Sequence, residues 1–108
     1  MAYKLIITEK AEKLLDNLIY HLIYRLKNTR ATVHLFDSID RIYDRLEEDF
    51  FQFPESREMN LRHRGYREEV LTDMDYVIIF RIEEVSVYVT GVFHQLENYR
   101  KKVEQSEQ

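Results

Sequence analysis

Two amphipathic stripes follow one another between residues 9 and 50 with almost nothing between them, and this restricts the chain more than any other feature. Ala11, Leu14, Leu15, Leu18, Ile19, Leu22, Ile23 and Leu26 recur in steps of three and four, the spacing that lines one side of an α-helix. Lys10, Lys13, Asp16, Asn17 and Arg25 fall on the other side. Phe36, Ile39, Tyr43, Leu46 and Phe50 repeat the pattern, with Leu35 and Ile42 widening the stripe. Thr8 offers an oxygen to the free N–H groups that open the first helix, and Glu9 favours its positive end. Asn28 suits the left-handed conformation that closes a helix, and Thr29 is placed to cap the next. Helices joined so tightly fold back as a hairpin. The second ends before Pro54, which disfavours helix in the residue preceding it.

Outside the hairpin the period changes. Tyr3 to Ile7 is short, apolar and β-branched, and reads as a strand. Residues 55 to 65 are polar and irregular, ending at Gly65. Three strands follow: Tyr66 to Leu71, Tyr76 to Ile82 and Val85 to Phe93, with turns at Asp73-Met74-Asp75 and Glu83-Glu84. Turns this short force antiparallel neighbours. Leu96 to Val103 predicts a short closing helix, with Gln105 to Gln108 fraying. The order predicts a single α+β domain over residues 1–108: an N-terminal strand, a helical hairpin on one face, a three-stranded antiparallel meander and a C-terminal helix.

Composition narrows the chemistry. With 108 residues and 44% hydrophobic content, one core is attainable, yet a domain this small buries only about two thirds of its unfolded surface. The absence of cysteine excludes disulfides, thiolate metal sites and a cysteine nucleophile. No apolar run approaches the ~20 residues needed to cross a bilayer, and the N-terminus lacks a signal-peptide pattern, so a soluble, cytoplasmic protein is expected. A net charge of -4 works against general binding to a phosphate backbone. His21, His34 and His63 form no recognisable metal constellation with carboxylates, since Arg25 follows His21 and Ser38 follows His34 at four residues, and no glycine-rich phosphate loop occurs, so neither metal nor cofactor is expected.

The stretch from Gly65 to Tyr99, read as GYREEV, DYVIIFRI and VSVYVTGVFHQLENY, resembles the RelE/ParE superfamily of type II toxins. Tyr66-Arg67, Tyr76 to Phe80, His94-Gln95 and Tyr99-Arg100 stand where that superfamily carries a tyrosine–arginine pair, an aromatic strand, and a histidine before an aromatic-basic tail. The resemblance implies a toxin held inactive by a cognate antitoxin, as part of a hetero-oligomer or beside a homodimer, and no membrane. It leaves the mechanism open. RelE-like members cut mRNA on the ribosome, whereas ParE-like members inhibit DNA gyrase.

A ribonuclease needs a group to activate the ribose hydroxyl, one to protonate the leaving oxygen, and cations on the phosphate. By resemblance the catalytic candidates are His94, Asp75, Arg67, Arg81 and Tyr99. Asp75-Tyr76 and His94 look like a YafQ-like ribonuclease branch, but the extra histidine of that branch has no counterpart at Glu69, Val70 or Leu71. Val77 stands where RelE-like members carry a phosphate-holding arginine. Arg81, on the same strand face by alternation, either substitutes for it or pairs with Glu68, Glu83 or Glu84. Arg62, His63, Arg64 and Arg67 form one basic cluster and Arg100, Lys101 and Lys102 a second, candidates for contact with an acidic partner or RNA. The balance favours a ParE-like binding toxin over an endoribonuclease or a diverged, non-toxic antitoxin-binding protein.

Overall fold

The computed structural model describes residues 4–71, 75–95 and 99–106. The predicted turn residues Asp73 and Met74, the start of the predicted closing helix and the last two residues lie outside them. Strand β1, Lys4–Ile7, leads into α1, Glu9–Tyr20, whose cap is the expected one: Thr8 Oγ1 accepts from Ala11 N at 3.1 Å. Helix α1 then widens into a π-turn, His21–Arg25, closed by Leu26 N donating to His21 O at 3.0 Å. Lys27, not Asn28, takes the left-handed conformation. Asn28 instead caps α2, Thr29–Glu48, by accepting from Ala31 N. An asparagine side chain serves either role, and here the orphan N–H groups of α2 claim it.

The π-turn corrects the predicted stripe. An extra residue in the turn rotates everything after it out of phase with the core. Ala11, Leu18 and Leu22 are buried as expected, while Ile23 and Leu26 face solvent. On α2, Leu35, Ile39, Ile42 and Leu46 form the buried stripe, Tyr43 packs at its margin, and Phe36 is exposed. Helix α2 ends before Phe50, which sits in a single tight turn, Phe50–Gln52, and still reaches the core.

The polar stretch before Gly65 holds a short helix, α3, Met59–His63. Gly65 turns the chain at φ +86°, a left-handed conformation that glycine adopts without strain. Strands β2, Tyr66–Val70, β3, Tyr76–Glu83, and β4, Ser86–His94, form the expected antiparallel meander. Strand β1 adds to β4 in parallel, giving the order β1-β4-β3-β2. A bulge at Thr90, whose Oγ1 donates to Ile79 O at 3.0 Å, shifts the β3–β4 register. Helix α4, Tyr99–Ser106, closes the described chain.

Helices cover both sides of the sheet, not one as the sequence predicts. The hairpin packs on Ile78, Phe80, Val87, Val89 and Val92. On the opposite face, Leu61 of α3 and Tyr99 and Val103 of α4 pack on Tyr66, Val77, Ile79 and Phe93. The ring of Phe93 lies over Gly91, where a Cβ would collide with it. Both sides of β3 are therefore buried, which is why its sequence runs Val-Ile-Ile-Phe without alternation. Among the described residues, no helix is long and apolar enough to cross a membrane.

Candidate functional site

The second face of the sheet divides into a sealed half and an open half. In the sealed half Val77 is fully buried beneath α4. Beside it stands Glu68, a carboxylate only 5% exposed. Its Oε1 accepts from Ser56 Oγ at 2.9 Å, from Arg57 N at 3.1 Å and from Tyr99 O–H at 3.3 Å. Arg57 Nε lies 3.6 Å from the other carboxylate oxygen and also donates to Tyr99 Oη at 3.0 Å. A buried charge persists only when it is neutralised and hydrogen-bonded, and Glu68 has both. Burial is the main cause that raises the Tyr99 phenol above its ordinary range, with the Glu68 charge adding to it and Arg57 opposing. The hydrogen bond to Tyr99 is the main cause that holds Arg57 more firmly protonated. Arg57 also donates to Gln95 O at 3.1 Å, so one residue ties the loop before α3 to the end of β4 and to α4. No sequence motif announced this network. The one available signal is an acid, Glu68, at a strand position that alternation places with buried neighbours.

The open half is a cleft of about 240 Å³ lined by Thr8, Glu9, Lys10, Tyr66, Arg81, Tyr88 and Thr90. Strand pairing sets Arg81 between Tyr66 and Tyr88, with its guanidinium 5.2 Å from the centre of the Tyr88 ring. Burial alone would lower the Arg81 pKa, but Glu83, accepting from Nη1 at 2.9 Å, and neighbouring Tyr66 outweigh it and raise the value. Arg81 therefore stays charged, and the Glu83 pairing weighed in the sequence reading is present.

The five catalytic candidates do not converge. His94 pairs across the sheet with Tyr76, edge to face at 5.5 Å, at the end where Asp75 O accepts from Gln95 N. Arg81 is five residues from Tyr76 along β3, about 17 Å at the usual strand rise. Arg67 lies on the hairpin face, donating to Phe53 O at 2.6 Å with its guanidinium over the Phe50 ring. Tyr99 is buried in the Glu68 network. Of the basic candidates, Arg62, His63 and Arg64 ring the end of α3, exposed. Arg100 sits 3.7 Å from Glu58, and Lys101 and Lys102 are exposed on α4.

Tyr20, Tyr24 and Phe36, residue types expected in the core and rim of the hairpin, instead belong to an exposed surface at its tip. Tyr20, Ile23, Tyr24, Leu26, Val33 and Phe36 are all exposed there, with the Tyr20 and Tyr24 rings 4.8 Å apart. Residues 17–36 contain Arg25, Lys27 and Arg30 and no acid, in a chain whose net charge is -4. An apolar patch edged by one sign of charge is the mark of an interaction surface.

Comparison with known proteins agrees with this architecture. Residues 5–99 match the family described as "ParE toxin of type II toxin-antitoxin system, parDE". A chain of the solved structure titled "Chromosomal ParDE TA system from P. aeruginosa" superposes with a TM-score of 0.68 at 18% identity, over 86% of this chain and 96% of that one. The comparison with curated protein sequences gave no match.

Proposed function

The chain belongs to the ParE toxin family of type II toxin–antitoxin systems, and from that premise we propose that it acts by binding a cellular target, such as DNA gyrase, and is neutralised by a cognate antitoxin. One observation carries the choice of binding over RNA cleavage. The position where RelE-like relatives hold phosphate is Val77, and it is buried under α4 while the remaining candidates are dispersed. General acid–base chemistry on one phosphate needs its groups within hydrogen-bond reach of a common point. Residues on opposite faces of a sheet, or about 17 Å apart along a strand, do not meet that condition. The hairpin tip supplies what a binding toxin needs, apolar anchors with a basic rim, and suits an acidic, amphipathic segment of the antitoxin.

The test is a supercoiling assay. Purified protein is expected to inhibit gyrase on relaxed plasmid, and an equimolar antitoxin encoded beside it is expected to relieve the inhibition. Unimpaired supercoiling, together with mRNA cleavage on translating ribosomes that His94→Ala abolishes, would replace this reading by the ribonuclease one.

A further inference from the structure

The outer edge of β2 and the helix above it enclose a second cleft, away from both the hairpin tip and the Arg81 groove. Its volume is about 190 Å³, and Ser38, Arg41, Ile42 and Arg45 of α2 and Glu69 and Val70 of β2 line it. Ser38 is 4% exposed, and its Oγ is a buried polar atom with no hydrogen-bond partner. A serine within a helix can usually satisfy itself on the carbonyl one turn back, so an unmade bond here calls for an explanation. A ligand oxygen in the cleft would supply one.

The charges around it say which oxygen. Arg45 is held in place over the Phe53 ring at 4.5 Å, with Nε donating to Gln52 Oε1 at 3.0 Å. Its contact with Glu69 is long, 3.5 Å, and so leaves the guanidinium only partly neutralised. Arg41 is exposed and has no ion pair among the described residues. Among the residues that line the cleft, two guanidiniums stand against one carboxylate, a local excess of one positive charge that one more carboxylate would complement, while the other acids of the segment, Asp37, Asp40, Asp44, Glu47, Glu48 and Asp49, are not among the lining residues. The space is below the ~300 Å³ at which clefts begin to hold drug-sized ligands, and suits one side chain.

The edge strand shows how such a side chain would arrive. Leu71 N donates inward to Tyr76 O at 2.9 Å, so by alternation the N–H groups of Glu68 and Val70 point outward. The loop before α3 takes the first, with Glu68 N donating to Pro54 O. Past that point the edge is open among the described residues, and Val70 is 41% exposed. An extended peptide adding there would turn alternate side chains under α2, toward Ser38 and Arg41. We propose that this cleft is a carboxylate-binding site for an aspartate or glutamate side chain of a peptide strand added to the outer edge of β2. The assignment does not depend on the toxin reading.

The test is a titration of the isolated chain, followed by backbone amide resonances, with three probes: a blocked valine–glutamate–valine peptide, its glutamine counterpart and inorganic phosphate. The glutamate peptide is expected to shift Ser38, Arg41, Arg45 and Val70 saturably at millimolar concentration. The glutamine peptide is expected to bind about tenfold more weakly, the usual loss when a charge-assisted hydrogen bond becomes neutral. Arg41→Gln and Ser38→Ala are each expected to weaken the glutamate peptide several-fold, with the rest of the spectrum unchanged as the control for folding. Equal binding of the two peptides, or no saturable shift at these residues, would overturn the site. Tighter binding of phosphate than of the glutamate peptide would overturn the peptide assignment in favour of a phosphorylated ligand.

Discussion

Glu68 and Tyr24 sit where a first guess would not put them. The carboxylate of Glu68 is 5% exposed under α4, whereas Tyr24 is 64% exposed at the hairpin tip. Glu68 is tolerated in the interior because Ser56, Arg57 and Tyr99 satisfy its oxygens on several sides. At the tip, Tyr24 and the Tyr20 ring beside it lie off the buried stripe, and nothing in the described chain covers them. The comparison separates two uses of side chains. The sealed face spends polar contacts on stability, and the tip leaves apolar surface unspent, as a partner-binding region would.

Substitutions on the two regions should therefore behave in opposite ways. Tyr99→Ala removes a buried ring and one donor to Glu68, and is expected to cost about 3–5 kcal/mol in urea unfolding. A cost under about 1 kcal/mol, the range of ordinary surface changes, would mean that α4 does not seal the sheet. Glu68→Gln keeps the shape but weakens the charge-assisted bonds, for an expected loss of about 1–3 kcal/mol. Tyr20→Ser with Tyr24→Ser should change stability by only about 0.5 kcal/mol, yet weaken antitoxin binding strongly in a titration by calorimetry. Equal antitoxin affinity in that double variant would erase the contrast between tip and face.

The last expected effect is confined to alkaline solution, a pH dependence at the hairpin base. Burial, then Asp40 and Glu12, push the Tyr43 phenol up to about 12 from 10.0. The fold thus favours the neutral phenol. Its contribution to stability is complete below the unfolded value and is lost as pH rises through the folded one. Urea midpoints of the wild-type chain should fall between pH 10.0 and about 12 more steeply than those of Tyr43→Phe. Parallel curves would show that Tyr43 is not the group responsible.

How much of this the sequence carried depends on the range of the interaction. Thr8, the hairpin stripes and the three meander strands were readable because local spacing and turn chemistry determine them. The exposure of Ile23 and Leu26 was not, because periodicity assumes a constant helical turn and one extra residue at His21–Arg25 breaks the count, while on the regular α2 the buried stripe runs through Leu35, Ile39, Ile42 and Leu46 and leaves Phe36 at its margin. The pairing of β1 with β4 and the docking of α4 under the sheet are contacts between distant residues, and no local pattern encodes them. The candidate site shows the same limit. Arg81 with Glu83 was among the weighed pairings because the two are close in sequence. Arg57, Ser56 and Ser38 drew no notice, since each acquires its meaning from a neighbour across the fold.

The central claim is that this toxin acts through a surface and not through a catalytic set. Growth after induced expression of the His94→Ala, Asp75→Asn, Arg81→Gln triple variant, beside the wild-type chain at equal protein level, tests it most directly. The account predicts that the triple variant arrests growth as the wild-type chain does, and that co-expressed antitoxin rescues both. Normal growth with the folded triple variant, where the wild-type chain arrests it, would contradict the account and return the activity to chemistry at those side chains.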